Sequence, residues 1–172
     1  LARCGYRSLV YFPGNPSFVS YDKFYKAVGL NEIIASRDLG AKRLNERDSF
    51  FYDAAIERME RHFKASEIPL FSFILTMSTH GPYDRTYMPE VKVAGGGPGT
   101  PPEMNEYLRR VSMSKQDYER FVAELKRRFP EERFLIVRYG DHHPVATRSY
   151  LGYPDADNPE AVALAPDSLG FT

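Results

Sequence analysis

The sequence predicts an α/β fold built on a mostly parallel sheet with helices on both faces. Three observations point there. Apolar runs of β-forming residues recur at 7–12 (RSLVYF), 70–77 (LFSFILTM) and 134–139 (FLIVRY), and segments with helical periodicity separate them. The middle run is apolar without alternation, the pattern of a strand buried on both faces of a parallel sheet. Strands alternating with helices place the helices over the sheet, and ligands of such sheets bind beyond the carboxyl ends of the strands.

The elements follow in order. LARCG reads as the last turn of a helix closed by Gly5, and the strand at 7–12 stops at the turn PGNP. Ser20 or Asp22 can cap a helix through Val28 that ends at Gly29, and Ile33 and Ile34 mark a minor strand. Asp48 is placed to cap a helix reaching about Lys64, with Phe51, Ala55, Met59 and Phe63 on one face. The stretch 78–102 holds AGGGPGTPP, a connection whose length marks it as functional or disordered. A long helix is expected from about 103 to 129, with Tyr107, Val111, Ser114, Tyr118, Phe121, Val122 and Leu125 as its buried stripe and a break near 112–114. GDHHP follows the strand at 134–139 directly, and the Asp, Ala and Pro content beyond Leu151 reads as loop. There is no internal repeat and no second domain in this reading.

Composition narrows the function classes. Lys plus Arg and Asp plus Glu both number 23, so no net charge marks a general polyanion binder and no nucleic acid is expected as a partner. The single cysteine, Cys4, excludes an internal disulfide framework and a cysteine zinc cluster. No run approaches the roughly 18 apolar residues of a membrane span, and the chain as it stands reads as soluble. It opens inside a helix and stops as an apolar segment begins, so it reads as an internal piece truncated at both ends.

The candidate chemistry lies beyond two strands. His80 follows the run at 70–77, and Asp141, His142 and His143 follow the run at 134–139. Parallel strands would gather them at one edge of the sheet. An adjacent Asp and neutral imidazole give mixed oxygen and nitrogen ligation, which suits Zn²⁺ or Mn²⁺ better than Ca²⁺. Gly140 is expected to let the backbone turn so that both side chains point at one ion. The plainer reading, a polar turn after a strand, stands beside it.

GDHH after an apolar strand, FILTMSTHGPY some sixty residues earlier and GNPSFVSYDKFYKAVGL near the start resemble consecutive blocks of the sulfatase-like family of the alkaline phosphatase superfamily. The resemblance covers most of residues 1–150 and is nearest to lipoteichoic acid synthases and other phosphoglycerol transferases. It implies one partial sulfatase-like domain over 1–172, with the blocks in 1–150 and a loop-rich tail at 151–172. It further implies a hydrolase or phosphoglycerol-type transferase acting on sulfate or phosphate esters, lipid head groups among them, through a covalent intermediate. Asp141 and His142 would ligate a divalent metal (Mn, Zn, Mg or Ca, with Mn or Zn favoured), and His80 would contact the transferred group. The nucleophile would come from a segment before Leu1, and the parent would be membrane-anchored with the domain on the periplasmic or extracytoplasmic side.

Where lipoteichoic acid synthases carry an HGDYxSFWNR-like block, this chain reads PGNPSFVSYD, with Pro13, Asn15, Val19 and Tyr21 at the head-group positions. Asn15 and the loop residue Arg85 are the further candidate substrate contacts. The changed block also admits an alternative, a degenerate sulfatase-like module that binds or supports without catalysis. A Ser-His-Asp hydrolase using Ser78 or Thr79 lacks a G-x-S-x-G elbow. His143 is expected to support the ligand pair or face solvent, His62 to sit on the surface near a helix C-terminus, and Asp117 to be structural.

Overall fold

The computed structural model describes residues 4–43, 45–144 and 146–147, with the side chain of Val19 excepted. The expected loop-rich tail at 151–172 and most of the opening helical turn lie outside the described residues. Gly5 is described, with φ +75°.

β1 (Arg7–Phe12) forms the centre of a three-stranded sheet. β2 (Glu32–Ala35) lies on one side of it and β3 (Leu70–Ile74) on the other, both parallel. The helices are α1 (Tyr21–Ala27), α2 (Asp48–Ala65) and α3 (Pro102–Arg128), with short 3-10 turns at Phe18–Ser20 and Ser36–Leu39. By compactness the chain divides into two units. One holds the described residues up to 79 together with 110–133; the other holds 80–109 together with those from 134 onward.

The first unit carries the sheet. Successive residues of a strand point to opposite faces, and β1 uses both. Leu9 and Tyr11 pack with Phe51, Tyr52, Ala55, Ile56 and Met59 of α2 and with Phe121 and Leu125 of α3. Val10 and Phe12 pack with Tyr25 of α1 on the other side. Helices therefore cover both faces, as the alternation of elements predicts. The Tyr52 and Phe121 rings stack with centroids 4.6 Å apart across α2 and α3. Tyr11 is fully buried, and burial pushes its phenol pKa up.

Several expectations are corrected. β3 is five residues long and only half-buried, where a longer strand buried on both faces was expected. The strand order explains this, because β1 takes the central place and β3 has a neighbour on one side only among the described residues. Residues 134–139 form no strand; Leu135 is 93% and Val137 73% exposed. Strand propensity needs a paired neighbour to be realised, and no described strand pairs with this segment.

Asp48 does not cap α2, since the cap position falls on Arg47 and Asp48 is the first helical residue. Ser20 does occupy the cap position of α1, but its side chain makes no capping bond. α3 runs without a break through 112–114, and its buried face in the first unit passes through Arg110, Met113, Ser114, Asp117, Phe121 and Leu125, leaving Val111 exposed. His62 is buried, not superficial, and its Nε2 donates to the carbonyl of Ile68 at 2.6 Å. It stands seven residues after Ala55 on the apolar face of α2, so periodicity carried the signal.

The C-terminal turn of α3 yields a pH prediction. Glu124 accepts from Arg127 and Arg128, and these hydrogen bonds, that of Arg127 foremost, lower its carboxyl pKa from 4.5 to about 2. A carboxyl with a depressed folded-state pKa stabilises the fold above its unfolded value, and that contribution is lost as pH falls from 4.5 through about 2. An NMR titration of the Glu124 carboxyl should give a midpoint near 2, moving toward 4.5 in the Arg127→Gln/Arg128→Gln variant. A midpoint that ignores both arginines would contradict this account. The side chain keeps 25% of its surface in contact with solvent, so salt should weaken the effect.

Candidate functional site

The chain leaves β3 toward His80 under restraint. Leu75 N–H donates to the Tyr11 carbonyl at 3.1 Å, extending the β1 pairing by one bond. Ser78, 2% exposed, donates its hydroxyl to Asp48 Oδ1 at 2.6 Å. His80 itself is exposed, and its Nδ1 lies 2.8 Å from the Gly81 carbonyl. A carbonyl only accepts, so Nδ1 is the donor in this contact.

The segment after His80 contains no helix or strand before α3, yet it is ordered from within its own unit. Arg109 and Glu106, both buried on the first turns of α3, pair at 2.8 Å. Arg109 also donates to the carbonyls of Tyr87 and Val91, while Glu106 Oε1 accepts from Tyr87 N at 2.8 Å. Further along, Asn105 Oδ1 accepts from Gly96 N at 2.7 Å. A Cβ at Gly95 would stand 2.4 Å from Asn105 Oδ1, and one at Gly96 2.4 Å from Thr100 Oγ1. The glycine run is therefore a demand of close approach rather than a mark of disorder.

Asp141 and His142 form a local pair. His142 N–H donates to Asp141 Oδ1 at 2.9 Å, and His142 Nδ1 donates to the His143 carbonyl at 3.1 Å. His142 Nε2 faces Asp141 Oδ2 at 3.5 Å, with the two side chains 66% and 78% exposed. Two donors each about 2.1 Å from a tetrahedral ion stand about 3.4 Å apart, so the pair fits two ligands of one ion. A second bond from the far ring nitrogen to a carbonyl is the usual partner of a metal-bound histidine. Gly140 contributes differently from expectation: it is not among the positive-φ residues, and a Cβ there would meet open space.

The hydrogen bonds and ion pairs of Asp141 and His142 run to each other and to His143. Among the described residues no three or more His, Cys, Asp or Glu side chains form a group able to hold a metal ion. The expected gathering of three histidines and an aspartate relied on a strand at 134–139, which the described residues do not form. Arg85 and His143 are exposed. Asn15 lies in the turn after β1, where its Oδ1 accepts from Ser17 N at 3.1 Å. A cavity of about 310 Å³ between α2 and α3 contains none of these candidates; within it Asp53 is paired with Arg120 and Glu124 with Arg128.

Sequence reasoning missed the buried polar groups. Asp48 bridges Ser78 and Ser114, and Asp117, 3% exposed, accepts from Arg47 Nε at 2.8 Å and Ser49 N at 3.1 Å. The structural role expected of Asp117 is thereby given its partners.

Known proteins share this architecture. The chain is 23% identical over 148 residues to lipoteichoic acid synthase 1 of Bacillus subtilis (strain 168), covering 83% of this chain and 22% of that protein. It superposes on the lipoteichoic acid synthase LtaP of Listeria monocytogenes with a TM-score of 0.61 at 20% identity, covering 73% of this chain and 31% of that one. A protein in the alkaline phosphatase superfamily from Vibrio parahaemolyticus gives 0.58 at 22% identity, with 73% and 30% covered. The phosphoglycerol transferase GacH of Streptococcus pyogenes, in complex with sn-glycerol-1-phosphate, gives 0.53 at 17% identity, with 72% and 33% covered. At these identities the superpositions establish the fold alone, the α/β architecture these proteins share. The chain spans between about a fifth and a third of the length of these relatives. The family model described as Sulfatase matches residues 1–163, and with nearly the whole chain so matched, it belongs to the sulfatase family.

Proposed function

We propose that this chain supplies part of the site of a divalent-metal-dependent enzyme that cleaves or transfers phosphate or sulfate esters through a covalent intermediate. The observation that carries the reading is the adjacent Asp141 and His142 pair, with Nε2 3.5 Å from Oδ2. Asp141 and His142 are the metal ligands, with Mn²⁺ or Zn²⁺ favoured by the mixed donor set; the remaining donors are outside the described residues. When bound, such an ion lowers the pKa of a nucleophilic hydroxyl and polarises the ester. His80 contacts the transferred group through Nε2, accepting a proton or, as imidazolium, donating one to the leaving oxygen. Asn15 and Arg85 are substrate contacts, and no residue of this chain is assigned as the nucleophile. The names of the phosphoglycerol transferase and the synthases favour a phosphate ester such as a glycerol phosphate; the resemblance to that family favours a parent at an extracytoplasmic membrane surface. Among the described residues no helix is long and apolar enough to cross a membrane.

Titrating the chain with Mn²⁺ tests the pair directly, because paramagnetic broadening reports proximity even where binding is weak. The His142 ring protons should broaden well before those of buried His62, and Asp141→Asn should abolish the difference. Equal broadening of both histidines, or an unaffected Asp141→Asn variant, would sink the reading. The second reading, a non-catalytic module of the same fold, is favoured by Asn15, whose carbonyl oxygen is already engaged by Ser17. An intact protein that binds the ester but never turns it over would decide for it.

A further inference from the structure

We infer that Asp48 is a positioning residue for His80, acting through the hydroxyl of Ser78. The inference deepens the proposed function and rests on it for the role of His80.

Asp48 is 1% exposed, and each of its carboxylate oxygens accepts a hydroxyl from a distant part of the chain. Ser78 Oγ donates to Oδ1 at 2.6 Å and Ser114 Oγ to Oδ2 at 2.5 Å. Burying a carboxylate is costly unless its charge is met. Here it is met by two short charge-assisted bonds and by the N-terminal end of an 18-residue helix.

Joining α2 to α3 does not need this arrangement. Phe51, Tyr52 and Ala55 already share a core with Phe121 and Leu125, and Asp117 ties the start of α2 through Arg47 and Ser49. What the Asp48 carboxylate adds is Ser78. The sheet ends at Ile74, and four residues later the chain is drawn into the interior at Ser78 before emerging at exposed His80. Two residues span about 7 Å at most, so holding Ser78 shortens the free tether on which the imidazole can wander. Reacting groups displaced by about 1 Å can lose about 100-fold in rate, which gives this anchor a functional consequence.

Two single substitutions separate positioning from plain stability. Ser78→Ala and Ser114→Ala each remove one hydroxyl from the same carboxylate, and only the first lies on the path to His80; the kcat-against-KM split in the intact protein is what a merely structural role would not give. In the 172-residue chain, backbone ¹⁵N order parameters at Thr79, His80 and Gly81 should fall from about 0.85 to below about 0.6 in Ser78→Ala. They should hold in Ser114→Ala, even where its melting temperature drops as far. Ser78→Thr, which keeps the hydroxyl, should restore the parent values. Should the alanine variant not fold, Ser78→Cys keeps the volume while weakening the bond and is held to the same expectation. Unchanged order at 79–81, or equal loss in both alanine variants, overturns the inference. In the intact protein Ser78→Ala should lower kcat about tenfold or more with KM unchanged. A His80→Ala variant with full turnover would defeat the functional reading alone, since the order parameters are measured without turnover.

Discussion

Asp141→Asn in the intact protein is expected to lower ester turnover by about 10³-fold or more, equivalent to about 4 kcal/mol of transition-state stabilisation. The amide has nearly the shape of the carboxylate, so the turn at 141–143 should survive. Its charge does not survive, and a neutral oxygen or an NH₂ group would then face His142 Nε2 where an anionic oxygen now stands 3.5 Å away. Groups that act as one unit with a metal and a nucleophile lose most of their effect when any one is removed. The measurement is kcat/KM for an aryl phosphate or glycerol phosphate ester at saturating Mn²⁺ or Zn²⁺, with circular dichroism as the folding control. A variant within tenfold of the parent would remove Asp141 from the chemistry.

Arg109→Leu should carry the largest cost in stability. The Arg109 and Glu106 side chains are 11% and 7% exposed, so losing the guanidinium strands a buried carboxylate, at about 3–5 kcal/mol. It also releases the carbonyls of Tyr87 and Val91. Amide exchange should therefore accelerate across 87–96 well before it does in β1. The double variant Glu106→Leu/Arg109→Leu removes both charges and should recover much of the loss, as apolar replacement of a buried pair often does. If the double variant is no better than the single one, the cost comes from packing and not from the orphaned charge.

The elements legible in the sequence were those whose cause is local. The run of β-formers at 7–12, the four-residue spacing of Phe51, Ala55 and Met59, and Gly29 with its φ of +81° each declare themselves within one turn or strand. What failed had a distant cause. Residues 134–139 have the composition of a strand, but a strand exists only with a partner, and composition does not name one. Asp48 looked like a cap because Asp before an apolar helix usually is one; its actual partners, Ser78 and Ser114, lie 30 and 66 residues away. The connection holding Gly95 and Gly96 read as functional or disordered, because the reason for those two glycines is the approach of Asn105 and Thr100. In the candidate site, residue types and their position after an apolar run singled out Asp141 and His142, while the 3.5 Å approach of Nε2 to Oδ2 follows from how the turn folds.

The central place of β1 bears on the order of events during synthesis. Its β2 edge can be satisfied by residues made shortly afterwards, whereas its β3 edge waits for Leu70, about sixty residues later. At roughly 5–20 residues per second, that leaves one side of the most buried strand open for several seconds on the ribosome. The strand that organises the finished sheet is thus, while the chain is being made, the one most in need of shielding from other chains.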